Sequence, residues 1–338
     1  MDQMDLFDIF SIFSISKKGQ TLARSYFNRL KFELWYRVNQ ERFEIHKDLP
    51  IKGWRFDLSS TLINSVLIAA RDGFEVAQPR SSKGPALDPL TIPFSNPEDT
   101  SESRQKMLKF AKELFPKLQL HVMFGTSSLV EFLDTMKFLR SFNIPLTRVK
   151  IGSPGKVDDE LMKAVLEQCS DVKNLTIRSS SHPHFQYNFR THAPFKFDLF
   201  ELNGAEWVTK NHLINLFFGC KKVILGGTQY TNQKLTEIRK KWLEAPEMQY
   251  LQIKITASKV IWDLPGALPV RQLTVPNYWG RKKSEKFSSK QCYKINKADG
   301  TPAVVYRRLF GGIFFRTDFE DAVIELPDVS NPGLANNF

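Results

Sequence analysis

The chain opens with an apolar stripe of helical period. Leu6, Ile9 and Phe10 are spaced three and one residues apart, and Phe13 continues the same stripe one turn later. This spacing predicts a short amphipathic helix whose apolar side needs a covering partner. A second helix is predicted directly after it, over Lys18–Leu30.

Strand periodicity follows the two helices. Residues 30–38, LKFELWYRV, alternate between apolar and polar positions except at Trp35. Residues 42–47, RFEIHK, are predicted as the return strand of a hairpin, and Trp54–Leu58 as a third strand. Residues 80–103 are rich in proline and serine with little periodicity, which predicts a long surface loop.

The middle of the chain repeats one pattern, in which three apolar residues are spaced three and then two apart. The seven copies are Phe115, Leu118, Leu120; Leu146, Val149, Ile151; Val172, Leu175, Ile177; Phe197, Phe200, Leu202; Cys220, Val223, Leu225; Met248, Leu251, Ile253; and Val270, Leu273, Val275. Their middle residues are separated by 31, 26, 25, 23, 28 and 22 residues. Leucine-rich repeats have a similar pattern and a period of about 20 to 29 residues.

Helical patterns lie between several of these predicted strands, at residues 127–142, 158–169, 209–220 and 232–245. Thr209 and Thr231 stand where N-caps are expected. The predicted fold class is therefore α/β, a leucine-rich-repeat-like solenoid of strands and helices. A short helical segment and β-hairpins precede the solenoid, and a C-terminal β-hairpin around Asp299-Gly300 closes it.

Each predicted repeat strand presents one residue, between its two inner apolar positions, to the side away from the helices. The seven residues are Gln119, Lys150, Thr176, Glu201, Ile224, Gln252 and Thr274. We call these positions the predicted target face. Their mixed chemistry predicts a protein-binding surface, since a nucleic-acid groove would favour Arg and Lys.

The positive charge of the chain is unevenly placed. The 338 residues contain 48 Lys and Arg against 36 Asp and Glu, a formal net charge of +12. Residues 271–308 hold ten basic and two acidic residues, and the run RKKSEKFSSK, Arg281–Lys290, is the obvious basic patch. A solvated loop is the favoured interpretation of this run, and a basic nucleic-acid-binding module is the alternative.

The inventory of reactive side chains is small. Cys169, Cys220 and Cys292 have neither paired nor metal-like spacing, so free thiols and an intracellular location, cytoplasmic or nuclear, are expected. Cys169 and Cys220 each precede a predicted strand and are expected to be small buried side chains. His182 and His184, with a third histidine at position 192, are expected in a solvated loop with no metal site.

No stretch reaches the roughly 20 apolar residues of a membrane span, so no membrane partner is expected. The phosphate-cradling, dinucleotide, nucleophile-elbow and zinc-protease motifs are all missing from the sequence. A binding module without cofactors is thus favoured over an enzyme.

Both ends and the middle of the chain resemble a known family. The opening MDLFDIFSIFSISKKGQTLARSYF resembles the latter part of an F-box, the helical motif that docks substrate receptors onto the Skp-type adaptor of cullin-RING ubiquitin ligases. Leu202–Ile255 is similar to the type 2 F-box associated domain of nematode F-box proteins, in its W-x-x-x-x-x-L, N-Q-x-L and K-x-W-L-E pieces. The closing YKINKADGTPAVVYRR is also similar to the end of those proteins.

This resemblance implies a role for the opening stripe. Adaptor binding would fall on Leu6, Phe7, Ile9, Phe10 and Phe13. F-boxes of the family begin with a helix reading L-P-x-x-V-L, and this chain opens just after that point. The F-box is therefore expected to be N-terminally truncated, through an incomplete gene model, as a truncated paralogue or as a weak docking site.

The expected function is that of an F-box-like substrate-recognition subunit of a cullin-RING ubiquitin ligase, which binds an unknown protein target through the predicted target face. An adaptor-independent interaction protein and the basic nucleic-acid binder are the alternatives. Four segments are predicted, namely partial F-box helices at 1–30, a hairpin region and long loop at 31–115, the repeat-like domain at 116–277, and a basic loop, hairpin and acidic tail at 278–338.

Overall fold

The chain has a mixed α/β fold with parallel strands at the centre of each of two compact units, residues 1–179 and 180–338. A computed structural model describes residues 16–40, 42–47, 53–57, 65–71, 74–79, 90–91, 100–125, 128–152, 155–182, 184–255, 266–276, 282–288, 291–308 and 312–324. The four-segment division made from the sequence stays a prediction.

Helices alternate with strands in the middle of the chain, whereas the strands near both ends follow one another without a helix between them. The helices are α1 (Lys17–Phe27), α2 (Thr100–Leu114), α3 (Leu129–Arg140), α4 (Asp159–Gln168), α5 (Lys210–His212), which continues as a π-helical turn over Leu213–Phe217, and α6 (Asn232–Glu244). The strands of the first unit are β1 (Phe32–Arg37), β2 (Arg42–Lys47), β3 (Gly53–Asp57), β4 (Ser65–Arg71), β5 (Phe74–Pro79), β6 (Leu90–Thr91), β7 (Leu118–Phe124), β8 (Leu146–Ile151), β9 (Lys156–Val157) and β10 (Asn174–Ser181). The remaining strands are β11 (Leu199–Gly204), β12 (Lys222–Gly226), β13 (Tyr250–Lys254), β14 (Leu268–Pro276), β15 (Lys282–Lys286), β16 (Cys292–Asn296), β17 (Pro302–Arg308), β18 (Gly312–Arg316) and β19 (Asp321–Ile324).

The first unit is built on parallel pairings of β1 with β7, β7 with β8, and β8 with β10. The predicted hairpin between β1 and β2 is confirmed, and β3 pairs with β2 in turn. Aromatic rings hold α1 against this sheet, because the ring centroid of Phe27 lies 5.3 Å from that of Phe32 in β1 and 4.9 Å from that of Phe115, the residue after α2. All three rings are almost fully buried.

The second unit also begins with parallel strands, β11, β12 and β13. The strand pairing then becomes antiparallel: β13 pairs with β18, β18 with β17, and β17 with β16. The predicted C-terminal hairpin is thus confirmed as β16 and β17. Its turn uses Gly300 at φ +83°, a conformation that glycine adopts without steric cost. On the helical side, Trp242 of α6 packs against Phe315, with ring centroids 5.4 Å apart.

The two predicted N-caps are confirmed, because Thr209 and Thr231 each accept a hydrogen bond from a backbone N–H three residues on. Ser16, Ser128 and Asp158, which were not predicted as caps, do the same at the starts of α1, α3 and α4. The loop prediction for residues 80–103 is wrong at its end, because α2 begins at Thr100. Most of that segment lies outside the described residues.

Two of the seven triplets do not occupy the predicted positions. Leu118 and Leu120 pair with Phe32 and Leu34 of β1, whereas the residues beside Val149 and Ile151 of β8 are Val122 and Phe124. Strand β7 carries apolar residues at five of its seven positions, so the triplet pattern alone could not fix which pair of residues aligns with β8. The seventh triplet is the second exception, because within the described ranges the recorded partners of β14 are the antiparallel strands β15, β16 and β19.

Candidate functional site

The predicted target face is only partly assembled in the first unit. Lys150 and Thr176 are direct neighbours on β8 and β10, as predicted. Gln119 does not lie beside them, because Met123 takes the position next to Lys150, and Gln119 pairs with Glu33. Thr176 is 6% exposed, so it offers a partner little surface.

The second unit brings three predicted positions into one row. Glu201, Ile224 and Gln252 lie side by side on β11, β12 and β13, and all three are half-buried. The neighbouring apolar positions are buried, and the ring of Phe200 stacks on that of Phe217 in the π-helical turn, with centroids 4.4 Å apart. Tyr250 borders the row and donates a hydrogen bond from its hydroxyl to Oε1 of Gln252, at 3.0 Å. We call Glu201, Ile224 and Gln252 the central row.

Thr274 does not extend the central row. The next residue along the sheet is Phe314 of β18, which pairs with Gln252. Phe314 and Tyr306 stack with centroids 4.7 Å apart and are buried in one apolar cluster with Val270, Leu273 and Val275 of β14. Strand β14 was expected to continue the predicted target face. It covers the far end of the central row instead, because Val270, Leu273 and Val275 pack in the same cluster as Phe314.

A buried arginine lies at this covered end of the central row. Arg316 is 4% exposed, donates to Oδ1 of Asp318 at 2.7 Å and lies over the Tyr250 ring at 5.1 Å. Burial alone would lower the pKa of Arg316, but the hydrogen bonds that Arg316 donates to Asp318 and Tyr306, together with the electrostatic effect of these two groups, outweigh burial, so the pKa is raised. Lys222 also pairs with Asp318, at 3.2 Å. Asp318 thus contacts two cations at once, Arg316 and Lys222.

The strand face of the first unit carries opposite charges at its two ends. At the amino end, Oε2 of Glu33 accepts a hydrogen bond from Nε1 of Trp35 at 3.0 Å and lies 3.3 Å from Nδ1 of His121. The guanidinium of Arg148 lies over the Trp35 ring at 5.6 Å. The carboxylate of Glu33 is thus enclosed by the side chains of Trp35 and His121.

At the carboxyl end of the same face is a cleft of about 290 Å³. We call it the strand-end cleft. Its lining residues are Arg37, Asn39, Gln40, Met123, Phe124, Gly125, Lys150, Gly152 and Arg178. Lys150 was singled out from the sequence, but Arg37 and Arg178 were missed. The sequence contains a signal for both arginines. Each stands at a position of its strand, β1 or β10, that alternates with the inward-facing positions.

The adaptor-binding residues expected from the sequence, Leu6, Phe7, Ile9, Phe10 and Phe13, lie outside the described residues. The adjoining helix α1 is described, and Leu22 on its surface is 51% exposed. Arg24 of the same helix donates to the backbone oxygen of Glu113 at 2.9 Å.

Of the basic run the structure describes residues 282–288, and Lys282–Lys286 form a strand, which corrects the expectation of a loop. Its lysines are solvent-exposed, as expected of a solvated segment. Lys282 pairs with Glu320 at 2.9 Å, and Lys283 lies 3.6 Å from Glu285. Both acids reduce the local positive charge. The pairing of Lys282 with Glu320 could not be predicted from the spacing of residues in the sequence.

The histidines separate into exposed and buried side chains. His182 and His184 are exposed, and His192 stacks on Tyr187 at 4.6 Å. Throughout the described part of the chain, no group of three or more His, Cys, Asp or Glu could hold a metal ion. Sequence reasoning passed over His212, which is 9% exposed, and burial lowers its pKa.

The three thiols are free and buried. Burial raises the pKa of Cys220 and of Cys292 to about 12 and raises that of Cys169 further. Buried thiols of raised pKa are unreactive, which confirms the structural role predicted for Cys169 and Cys220. Among the helices in the described ranges, none combines the length and apolar character needed to cross a membrane.

Comparison with known proteins identifies one nematode relative. The chain is 22% identical over 213 residues to the Skn-1 dependent zygotic transcript 15 protein of Caenorhabditis elegans, and the match covers 61% of this chain and 60% of that protein. The chain thus spans less than two thirds of the length of this relative. No family model matches the sequence, and no solved structure matches the fold.

Proposed function

We propose that this protein is an F-box-like substrate-recognition subunit of a cullin-RING ubiquitin ligase. Its N-terminal helices would bind a Skp-type adaptor, and its strand face would bind a protein target. The observation that carries the proposal is the central row, three half-buried side chains in register on parallel strands whose apolar neighbours face the core.

The chemistry of the central row suits a protein partner. It combines the carboxylate of Glu201, the aliphatic side chain of Ile224 and the amide of Gln252, and it carries no cation. We take the strand and helix units as leucine-rich-repeat-like, with the face opposite the helices available to a partner. The acids beside the basic strand favour this function over nucleic-acid binding, which would need a concentrated positive surface.

The adaptor half of the proposal is tested by co-purification with a Skp-type adaptor. The wild-type chain is expected to retain the adaptor, whereas a Leu6→Asp, Phe10→Asp variant is expected to lose it, because charge on the apolar stripe opposes burial. Val130→Asp is the control, since Val130 is already 68% exposed on α3. Equal recovery with wild type and the double variant, or no recovery with wild type, would contradict the adaptor role.

The target half is tested with paired glutamine substitutions. Gln252→Arg places a bulky cation in the central row, and Gln233→Arg makes the same change on the exposed surface of α6. Adaptor-bound complexes are isolated and their ubiquitylated partners compared. We expect partners of the wild type to be lost with Gln252→Arg and kept with Gln233→Arg, and an unchanged set of partners would reject the central row as the target site.

A further inference from the structure

Strand β15 carries a serine among its lysines, and the proposed receptor function does not use it. Ser284 follows three consecutive basic residues, 281–283, and Lys286 stands two residues after it. Protein kinases select their substrates partly through the pattern of charge around the acceptor hydroxyl. Cations directly before a serine are the pattern that kinases with an acidic substrate groove recognise.

Alternation along β15 turns Ser284 toward solvent. Phe287 packs against Tyr306, with ring centroids 5.2 Å apart, and belongs to the margin of the apolar cluster of β14. Glu285 is half-buried and accepts a hydrogen bond from Nε of Arg308 at 2.8 Å. Successive side chains of a strand point to opposite faces. Ser284 therefore lies on the face away from these contacts, and it is exposed.

The pairing of β15 leaves one side of the strand open to another protein. Within the described ranges, the recorded partner of β15 is β14, with Ser284 in register with Thr274. A strand paired on one side presents a row of backbone groups on the other side. It is also already extended, the conformation in which a kinase cleft holds its substrate. A kinase can therefore approach Ser284 from the side opposite β14.

Two lysines flank Ser284 on its own face. Lys282 and Lys286 are each two residues away, so their Cα atoms lie about 6.5 to 7 Å from that of Ser284, and both side chains are exposed. Lys282 already pairs with Glu320 at 2.9 Å, but an exposed pair of this kind is weak. A phosphoserine dianion is a stronger acceptor than a carboxylate, so it can displace Glu320 from Lys282 and also contact Lys286.

We propose that Ser284 is a phosphorylation site for a serine/threonine kinase that selects basic residues before the acceptor. The Ser284 hydroxyl oxygen attacks the γ-phosphorus of kinase-bound ATP, the bond from that phosphorus to the bridging oxygen breaks, and ADP leaves. The hydroxyl proton passes to the catalytic base of the kinase. The phosphate adds a charge of about −1.5 to −2 at pH 7, which cancels most of the charge of Lys282 and Lys286. The inference does not depend on the proposed receptor role.

The acceptor is tested by incubating the full chain with ATP and the catalytic subunit of cyclic-AMP-dependent protein kinase. Mass spectrometry of the intact chain and of its peptides is expected to show one phosphate on Ser284. Casein kinase 2, which selects acidic substrates, should leave Ser284 unmodified. Ser284→Ala should lose that phosphate, whereas Ser288→Ala, an exposed serine next to the strand, should keep it. Modification of Ser284 in the urea-unfolded chain alone, or in neither state, overturns the proposal.

The role of the lysines in recognition is tested with a double variant, Lys282→Glu with Lys283→Glu. Acids before the acceptor oppose an acidic substrate groove, so we expect kcat/KM of the kinase for the chain to fall about tenfold or more. Lys234→Glu with Lys240→Glu is the matched control, because both lysines are exposed on α6, and it should leave kcat/KM unchanged. Unchanged melting temperatures verify folding. Equal kcat/KM in the wild type and the β15 variant contradicts recognition through these lysines.

The contact between the phosphate and the lysines is tested by phosphorus NMR of the phosphorylated chain. Nearby cations favour the doubly charged phosphate, so its pKa should be lower in the wild type than in Lys286→Gln. Lys240→Gln, which changes an exposed lysine of α6, should keep the wild-type pKa. The same phosphate pKa in all three chains would show that Lys286 does not hold the phosphate.

Discussion

The buried imidazole of His212 predicts a specific dependence of stability on pH. Its Nε2 lies 2.7 Å from the backbone oxygen of Tyr187 and donates to it. Its Nδ1 accepts the backbone N–H of Thr209 at 3.2 Å. In return, Oγ1 of Thr209 accepts the backbone N–H of His212, which completes a capping box at the start of α5. Both ring nitrogens are therefore used by the neutral form.

Protonation of His212 would place a second N–H against the N–H of Thr209. Burial lowers the folded-state pKa of His212 below its ordinary value, which is about 6.5 in an unfolded chain. At pH 7.5 both states are neutral and the stabilisation is fully present. As the pH falls below about 6.5, the unfolded chain takes up a proton that the folded chain does not, so the free energy of unfolding falls by up to about 1.4 kcal/mol per pH unit until the folded pKa is reached.

The perturbation is His212→Gln, because glutamine at this position can keep the capping box without titrating near neutral pH. The ring contacts with Trp207 at 5.4 Å and Phe189 at 5.2 Å are lost, which costs about 1 to 2 kcal/mol at pH 7.5. Urea unfolding followed by circular dichroism from pH 7.5 to pH 5 measures both effects. We expect a flatter pH dependence than in wild type, and His184→Gln at an exposed position should leave the wild-type slope intact. An equal slope in His212→Gln and wild type, or an NMR titration of His212 with a midpoint above 6.5, would refute the reasoning.

Three other predictions follow from buried groups. Lys297→Ala should lower the free energy of unfolding by about 2 to 4 kcal/mol in denaturant titrations, because its ammonium donates to the backbone oxygens of Ala245 and Met248 and lies 4.9 Å from the centroid of the Trp242 ring; a loss below 1 kcal/mol would show that these contacts contribute little. Gly312→Ala should cost about 2 to 4 kcal/mol by the same assay, because Gly312 has φ +87° and its added Cβ would lie 2.0 Å from a backbone oxygen. Gly300→Ala, at φ +83° with no atom within 4 Å, should cost only about 1 to 2 kcal/mol, and equal losses at the two glycines would contradict the clash. The three thiols, all buried, should resist a thiol reagent at pH 8 until denaturant is added, and rapid labelling of the folded chain would show that they are accessible.

Local signals in the sequence predicted much of the secondary structure. The caps at Asp158 and Thr231 and the apolar periodicity behind them place α4 and α6 almost to the residue. Helix α2 was missed even though Met107, Leu108 and Ala111 follow a helical spacing. Its many charged residues and the proline-rich segment before it obscured that pattern.

The candidate site was predictable only where the strand register was unambiguous. On β11, β12 and β13, each short strand buries one pair of apolar residues, these pairs are aligned as the triplets predicted, and the central row followed directly from the sequence. On β7, several alternating apolar residues permit more than one alignment with β8, and the prediction placed Gln119 where Met123 lies. Arg37 and Arg178 were missed because their convergence depends on that alignment.

The sequence by itself determined the alternation of strands and helices, the caps that start the helices, the buried thiols and the turn at Asp299-Gly300, because each depends on residues close together in the chain. Only the tertiary structure decided that β14 packs over the end of the central row and that Arg37, Lys150 and Arg178 line one cleft. These arrangements depend on which strands pair and in which register. Such choices are set by burial of apolar surface from distant segments, which no local pattern encodes.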